Sequence, residues 1–143
     1  MPIKSFRGLI ADGGQDTITL HTNNGSQGYR IKKFEIIDGA PGTVNTEIIC
    51  KIYSVAQTAV DALVDFSDQT LLGAAYYSRG AAMQPVIIFD NITFNQDIYV
   101  TQEKAAGGDP SDCNYHIELE LIKLDLSENT VATLKDIRNI ESQ

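Results

Sequence analysis

Residues 114–125 carry the sequence feature that most constrains the fold, a strict alternation of apolar and polar side chains. Successive side chains of a β-strand point to opposite faces of a sheet, so a period of two predicts a strand with one buried face and one wet face. We expect the apolar set in the core and the polar set facing solvent or a partner. These two sets are Tyr115, Ile117, Leu119 and Leu121 on one side, and His116, Glu118 and Glu120 on the other.

Similar runs recur along the chain and are separated by turn sequences. Clusters of Asn, Asp, Gly and Pro, such as residues 23–26 and 38–42, favour turns because these residues accept the backbone angles that tight turns require. Within the third run the apolar phase changes between Ile31 and Phe34, which predicts a β-bulge at Lys32-Lys33. The predicted strands are residues 3–11, 15–22, 29–37, 46–55, 71–78, 84–90, 97–103 and 114–125.

Eight short strands with few helical segments favour an all-β fold over a parallel α/β sheet. We expect a single antiparallel β-sandwich, jelly-roll-like because the strand count suits two four-stranded sheets. Residues 58–66 fit either a short helix or a covering loop. Residues 86–89 fit either a strand buried on both faces or a segment too short to assign. The length of 143 residues suits one domain, residues 1–143.

The C-terminal segment changes period after residue 126. Ser127-Glu128-Asn129 is typical of a helix N-cap, and an apolar residue recurs every three positions at Val131, Leu134 and Ile137. This pattern predicts a short C-terminal helix or tail. An isolated helix needs about 12–15 residues to be even marginally stable in water. We therefore expect residues 129–143 to be a docking segment that packs on a neighbouring surface.

The charge balance bears on the partners of the chain. There are 19 acidic and 11 basic residues, giving a net charge of −8, whereas binding to a phosphate backbone needs clustered Lys and Arg. Lys32-Lys33, the one basic doublet in the sequence, fits a solvated strand position. No apolar run approaches the roughly 18 residues of a membrane span, and no signal-peptide pattern is visible. We expect neither a nucleic acid nor a membrane as partner.

The two cysteines show no metal-binding or redox motif. Cys50 shares a predicted strand face with Ile48 and Ile52 and is expected to be a small buried hydrophobe. Cys113 begins the long strand. The two cysteines and the two histidines, His21 and His116, lack the spacing of zinc ligands, so no metal site is predicted. The sequence neither excludes nor indicates a disulfide between Cys50 and Cys113. Two free thiols suit synthesis in a reducing cytoplasm.

No catalytic motif accompanies the strands. His116, Glu118 and Glu120 share a face, and acid–base chemistry is one hypothesis for them. A solvated strand face is the alternative that we expect. Nucleophile-elbow, phosphate-loop and dinucleotide motifs are missing from the sequence. Glycosidases need two facing carboxylates, and the acidic residues single out no such pair. We predict no catalytic and no cofactor-binding residues.

Two acidic segments and three tyrosines are the remaining candidate binding sites. Residues 107–112, and the group of Asp61, Asp65 and Asp68, offer oxygen ligands for calcium, but neither matches an EF-hand loop. Polar turns are the interpretation that we expect for both. The tyrosines Tyr76, Tyr77 and Tyr99 could stack on sugar rings, although core or interface packing also explains them.

Two segments resemble small virion structural proteins of marine tailed bacteriophages. They are residues 90–101, Asp-Asn-Ile-Thr-Phe-Asn-Gln-Asp-Ile-Tyr-Val-Thr, and residues 130–139, Thr-Val-Ala-Thr-Leu-Lys-Asp-Ile-Arg-Asn. The overall plan, an acidic chain nearly all in strands with a short tail, is similar too. The resemblance implies a non-enzymatic capsid decoration or cement protein on the head, or a protein of the tail.

Several expectations follow from the resemblance. The chain would reside in the virion after assembly in the host cytoplasm, with the major capsid protein or other virion proteins as partners. It would form homo-oligomers such as trimers. The alternative is a carbohydrate-binding or receptor-binding β-sandwich module of a phage tail. A glycan-hydrolysing enzyme is the third hypothesis.

Overall fold

The computed structural model of the protein describes residues 3–20, 27–80, 84–89 and 92–123. These residues form eight strands and no helix, so they contain no helix that could cross a membrane. The strands are β1 Ile3–Ile10, β2 Gln15–Ile18, β3 Gln27–Asp38, β4 Glu47–Tyr53, β5 Leu71–Ser78, β6 Val86–Ile88, β7 Ile98–Lys104 and β8 Cys113–Lys123. Each lies within or overlaps a strand that the sequence pattern predicts, and the all-β prediction is confirmed for the described residues.

The strands form two antiparallel sheets that pack against each other. One sheet has three strands in the order β1-β8-β3, and the other has five in the order β2-β7-β4-β5-β6. The predicted division into two four-stranded sheets is wrong. Strand β8 is long enough to pair with β1 on one side and with β3 on the other. The remaining five strands then make the second sheet.

Strand β8 at the centre of the three-stranded sheet confirms the predicted alternation. Ile117 and Leu119 have no exposed surface, and Leu121 is partly buried against the core. The histidine and glutamates between them are partly exposed on the opposite face. Ile117 pairs with Phe6 of β1 and with Phe34 of β3, so apolar side chains from all three strands meet on one face.

Local irregularities have physical causes that the pairing makes visible. The register of β3 against β8 shifts between Ile31 and Lys33, which confirms the predicted bulge. Because of the shift, Ile31 and Phe34 are both buried while Lys32 and Lys33 stay exposed. Strand β6 is not buried on both faces. Among the described strands it pairs with β5 alone, so it lies at the edge of its sheet, with its apolar side chains partly in solvent.

The core lies between the two sheets and ends in a polar network. Gln102 is fully buried on β7, and its Nε2 donates to the carbonyl of Ile10 at 3.2 Å and to that of Ser111 at 2.8 Å. Asp38, also buried, accepts hydrogen bonds from the hydroxyl groups of Ser111 and Thr46. These bonds join the sheets because Ile10 belongs to one sheet and Gln102 to the other.

Residues 129–143 lie outside the described residues, so the C-terminal helix and the docking role of this segment stay predictions. The assignment of residues 1–143 to one domain also stays a prediction. Within the described residues, side chains from both sheets belong to one apolar cluster.

The alternation in β8 yields a direct stability test. Leu119→Ala removes a fully buried side chain and should lower the free energy of unfolding by about 2–5 kcal/mol. Glu118→Ala, one position earlier on the opposite face, should cost less than about 1 kcal/mol. Chemical denaturation of both variants and the wild type measures the difference. Equal losses would contradict the register of β8.

Asp38 should make stability depend on pH in the acid range. Burial opposes ionisation, but hydrogen bonds from Ser111, Thr46 and the backbone of Ala40 and Gly39 outweigh it and hold the Asp38 pKa below its ordinary value. A lowered pKa in the folded state means that the ionised form stabilises the fold. This stabilisation is complete above the pKa of an unfolded aspartate, about 3.9, and is lost as the pH falls through the folded-state pKa.

The variant Asp38→Asn tests this linkage. At neutral pH it should lower the free energy of unfolding by about 1–3 kcal/mol, because hydrogen bonds to a buried carboxylate are lost. Below about pH 4 the difference from the wild type should shrink. Denaturation curves between pH 3 and pH 7 measure it, and a difference that is constant over this range would contradict the role of Asp38.

Candidate interaction surface

Lys51 of β4 is buried on the outer side of the five-stranded sheet. Its neighbours Cys50 and Ile52 are fully buried between the sheets, so the alternation of a strand points Lys51 away from the core. Such a lysine is normally exposed, but the side chain of Lys51 is only 2% exposed. Residues 54–70, which connect β4 to β5, fold back over this part of the sheet and cover it.

The buried ammonium of Lys51 has three partners. It contacts Asp61 Oδ1 at 3.1 Å and the carbonyl oxygen of Leu63 at 2.5 Å, and it lies 5.3 Å from the centre of the Tyr53 ring. Asp61 Oδ1 also accepts a hydrogen bond from the backbone N–H of Leu63 at 3.1 Å. A buried charge is tolerated when hydrogen-bond partners replace its water. We call this set of contacts the Lys51 clamp, because it ties the loop to the sheet.

Two tight turns shape the rest of the loop. Asp65 accepts hydrogen bonds from the backbone and the hydroxyl group of Ser67, at 2.9 and 2.6 Å, and these bonds lower the pKa of Asp65. Asp68 accepts equivalent bonds from Thr70, at 2.9 and 2.7 Å. In such turns the short Asp side chain accepts a hydrogen bond from the backbone N–H two residues later. Residues 58–66 contain no helix, so the covering loop is the correct alternative.

The three aspartates of the loop therefore serve the loop itself. Asp61 belongs to the Lys51 clamp, and Asp65 and Asp68 cap turns. In the part of the chain that the structure describes, no three His, Cys, Asp or Glu side chains are placed to hold a metal ion. The segment of residues 107–112 is bonded to the loop between β3 and β4: Asp109 Oδ2 accepts a hydrogen bond from the backbone of Asn45 at 3.0 Å, and the Asp112 carbonyl accepts one from Gly39 at 2.7 Å.

The loop presents apolar side chains to solvent. Leu63 is 75% exposed, Phe66 56% and Val64 45%, and Ile87 of the neighbouring edge strand is 42% exposed. The ring of Phe66 packs edge-on against that of Phe89, with centroids 5.4 Å apart and planes at 85°. We call Leu63, Val64, Phe66 and Ile87 the loop patch. Clusters of exposed apolar side chains on a soluble domain are typical of interaction surfaces.

A shallow cavity and an exposed carboxylate complete the surface. The cavity, about 240 Å³, lies between the loop and strands β5 and β6. Asp65 is exposed and lies within the run of apolar side chains, between Val64 and Phe66, whereas the charge of Asp61 is paired with Lys51. The surface is therefore mainly apolar and includes one exposed carboxylate, that of Asp65. Residues lining the cavity include Ile49, Val64, Phe66, Tyr76, Pro85 and Ile87.

The outer face of the three-stranded sheet has a different chemistry. His116 pairs across the strands with Arg7 and with Glu35, and its Nδ1 is 3.7 Å from Glu35 Oε1. Arg30 Nη2 donates to Glu120 Oε1 at 2.8 Å and lowers the pKa of Glu120. Opposite charges on neighbouring strands stabilise a sheet modestly. The predicted polar face of β8 thus takes part in the cross-strand ion pair of Arg30 with Glu120. It also borders a groove of about 700 Å³ that includes Arg7, Glu35 and His116.

The sequence analysis did not identify one pair of neighbouring carboxylates, Asp12 and Glu103. Asp12 and Glu103 lie near each other; burial raises the pKa of Glu103, and the nearby Asp12 raises it further. Asp12 also accepts a hydrogen bond from the backbone of Lys104 at 2.8 Å. Asp12 is part of the turn between β1 and β2, and the Glu103 carboxylate lies beside Gly13 of the same turn.

The three candidate tyrosines do not form one stacking platform. Tyr76 pairs with Ile49, and Tyr77 pairs with Ile48, so the two rings start on opposite faces of the sheet. The Tyr76 hydroxyl donates to Glu47 Oε1 at 2.7 Å, and this bond raises the pKa of Tyr76. Tyr99 lies two strands away from β5, opposite Tyr53. His21 lies outside the described residues.

No protein-family model matches the sequence, and no curated protein matches it. The function must therefore be inferred from the surfaces of the molecule and from its sequence.

The variant Lys51→Met tests the Lys51 clamp. Methionine keeps an apolar side chain of similar length but removes the ammonium, so the loop should open locally. We expect chymotrypsin to cleave faster after Leu63 and Phe66, while the free energy of global unfolding falls by only about 1–2 kcal/mol. Limited proteolysis with mass spectrometry measures the cleavage.

A matched control is Lys33→Met, which removes an ammonium that is half exposed on the other sheet and lies 3.5 Å from Glu35. This variant should be cleaved at the wild-type rate. If Lys51→Met is also cleaved at the wild-type rate, the clamp does not hold the loop.

Proposed function

We propose that this chain is a non-enzymatic structural protein of a phage particle, a capsid decoration or cement protein that binds the head through the loop patch. The observation that carries the proposal is the loop patch itself, in which Leu63, Val64 and Phe66 are exposed on a loop fixed by the buried ammonium of Lys51. The resemblance of residues 90–101 and 130–139 to virion structural proteins supports the same function.

The physical argument rests on preorganisation. A loop that is already ordered loses little conformational entropy on binding, so more of its contact energy appears as affinity. Phe66 suits an anchor, because aromatic side chains supply large contact areas and are enriched among the residues that dominate binding. The exposed carboxylate of Asp65 favours a partner with a basic residue beside an apolar pocket. We propose the major capsid protein, or another virion protein with such a site, as partner.

Assembly into homo-oligomers such as trimers is part of the proposal. One small patch gives limited affinity, whereas several linked copies bind a repetitive surface much more tightly without any new contact. The predicted docking segment, residues 129–143, is our candidate for the link between copies. The arrangement of eight strands in two packed sheets supports the proposed jelly-roll-like connectivity.

A second proposal is a carbohydrate-binding or receptor-binding module of a phage tail. The groove on the three-stranded sheet favours it, because Arg7, Glu35 and His116 offer hydrogen-bonding groups beside the apolar Ile37, which is 60% exposed. Polar groups of this kind, converging on an apolar floor, are typical of ligand sites.

Substituting Phe66 tests the first proposal. Phe66→Ser should weaken binding to heads assembled without this protein about tenfold or more, since an anchor residue contributes more than about 1.4 kcal/mol. Co-sedimentation of the purified chain with heads and, separately, with tails measures binding.

The matched control is Leu9→Ser on the three-stranded sheet, because Leu9 and Phe66 are equally exposed at 56%. This variant should bind heads like the wild type. Loss of binding in both variants, or in Leu9→Ser alone, would contradict the assignment of the loop patch. Binding to tails alone, impaired by Leu9→Ser, would favour the second proposal.

Truncation after Ser127 tests the docking segment. The truncated chain should keep a β-rich circular dichroism spectrum, because the eight strands end before residue 127. The dissociation constant of its oligomers should be higher than that of the full chain. Analytical ultracentrifugation over a range of concentrations measures both constants. A truncated chain that fails to fold would place the segment in the core of its own domain.

A further inference from the structure

The two cysteines lie on facing strands inside the core. Cys50 is in the middle of β4 in the five-stranded sheet, and Cys113 is the first residue of β8 in the three-stranded sheet. Both side chains are fully buried, both thiols are free, and both belong to one apolar cluster. The prediction that Cys50 is a small buried hydrophobe is confirmed, but its position relative to Cys113 suggests a further property.

Backbone register and one side chain place the cysteines opposite each other. Cys50 pairs with Gln102 of β7, and Cys113 pairs with Ile10 of β1. The amide of Gln102 crosses between the sheets and donates to the carbonyl oxygens of Ile10 and Ser111. The immediate neighbours of the two cysteines are thus joined across the core, and this places the two buried side chains on facing strands.

We propose that Cys50 and Cys113 form an intrachain disulfide that joins the two sheets when the protein meets a disulfide oxidant such as oxidised glutathione. A disulfide has an S–S length of about 2.05 Å, so forming the bond requires the two facing side chains to approach each other. The partner of Cys50 on β5 is Ala75, whose small side chain leaves room for this adjustment.

The reaction balances as two thiol–disulfide exchanges. The thiolate of one cysteine attacks a sulfur of oxidised glutathione, forming a mixed disulfide and releasing one glutathione thiolate. The thiolate of the second cysteine then attacks the cysteine sulfur of the mixed disulfide. The intrachain S–S bond forms and the second glutathione leaves. Two cysteine thiols are oxidised, one glutathione disulfide is reduced, and the two thiol protons pass to water or to the released thiolates.

Burial also determines when the bond forms. The neighbouring Cys113 and burial in the core raise the pKa of Cys50, so the folded chain holds little of the reactive thiolate. The oxidant also has no direct access to fully buried sulfurs. The bond therefore forms during folding or while the core is open, and the folded reduced chain oxidises slowly. A chain made under reducing conditions keeps both thiols, and one that refolds under oxidising conditions becomes cross-linked.

Refolding of the full-length chain tests the proposal. The chain is reduced, unfolded in guanidinium chloride and refolded with either a glutathione redox buffer or a reductant. In the redox buffer we expect a monomer that is two hydrogens lighter by intact mass, with no titratable thiol. Its Tm should be higher than that of the reduced chain and should return to the reduced value after treatment with dithiothreitol.

Matched variants define the alternatives. Cys50→Ala and Cys113→Ala should each refold with one free thiol or one bound glutathione, and their Tm should not rise with the oxidant. The wild-type thiol count decides the question even if a variant folds poorly. Two free thiols, two bound glutathiones or an intermolecular disulfide in the refolded wild type would each overturn the proposal. A Tm lowered by the intrachain bond would show that the two sheets do not accommodate it.

Discussion

The buried ammonium of Lys51 is the interaction on which the proposed function depends. Removing an ion from water costs several kcal/mol unless fixed partners replace the water. Residues 54–70 supply those partners through Asp61 and the Leu63 carbonyl, so the closed position of the loop and the burial of the lysine require each other. The same contacts leave Leu63, Val64 and Phe66 outside, where they cannot fold into the core. An exposed apolar surface is therefore part of the folded state.

The two sheets give the molecule two outer faces of different chemistry. The outer side of the five-stranded sheet carries the loop patch, whereas that of the three-stranded sheet carries the ion pair of Arg30 with Glu120 as well as the exposed Leu9 and Ile37. Ion pairs at a surface contribute little to stability and stay hydrated. A decoration protein that binds a head through the loop patch would leave the charged face in water. Our proposal thus assigns a role to each face.

Local sequence patterns predicted the strands well. In a strand, alternate side chains face the core, and this alternation is visible in the sequence as a period of two. The alternation of β8 and the bulge at Lys32-Lys33 are of this kind. Features that depend on distant segments were not predictable. Lys51 has the pattern of an exposed strand residue, and only the loop above it explains its burial. The same holds for the pairing of Asp12 with Glu103, the division into three and five strands, and the facing cysteines.

The central claim, that the Lys51 clamp holds the loop patch in place, is tested most directly by nuclear Overhauser effects between aromatic rings. The rings of Phe66 and Phe89 are 5.4 Å apart, and those of Tyr29 and Phe94, in the core, are 6.3 Å apart. In the wild type both pairs should give cross-peaks. In Lys51→Met the Phe66–Phe89 cross-peaks should disappear while those of Tyr29–Phe94 remain. Phe66–Phe89 cross-peaks of unchanged intensity in Lys51→Met would contradict the account.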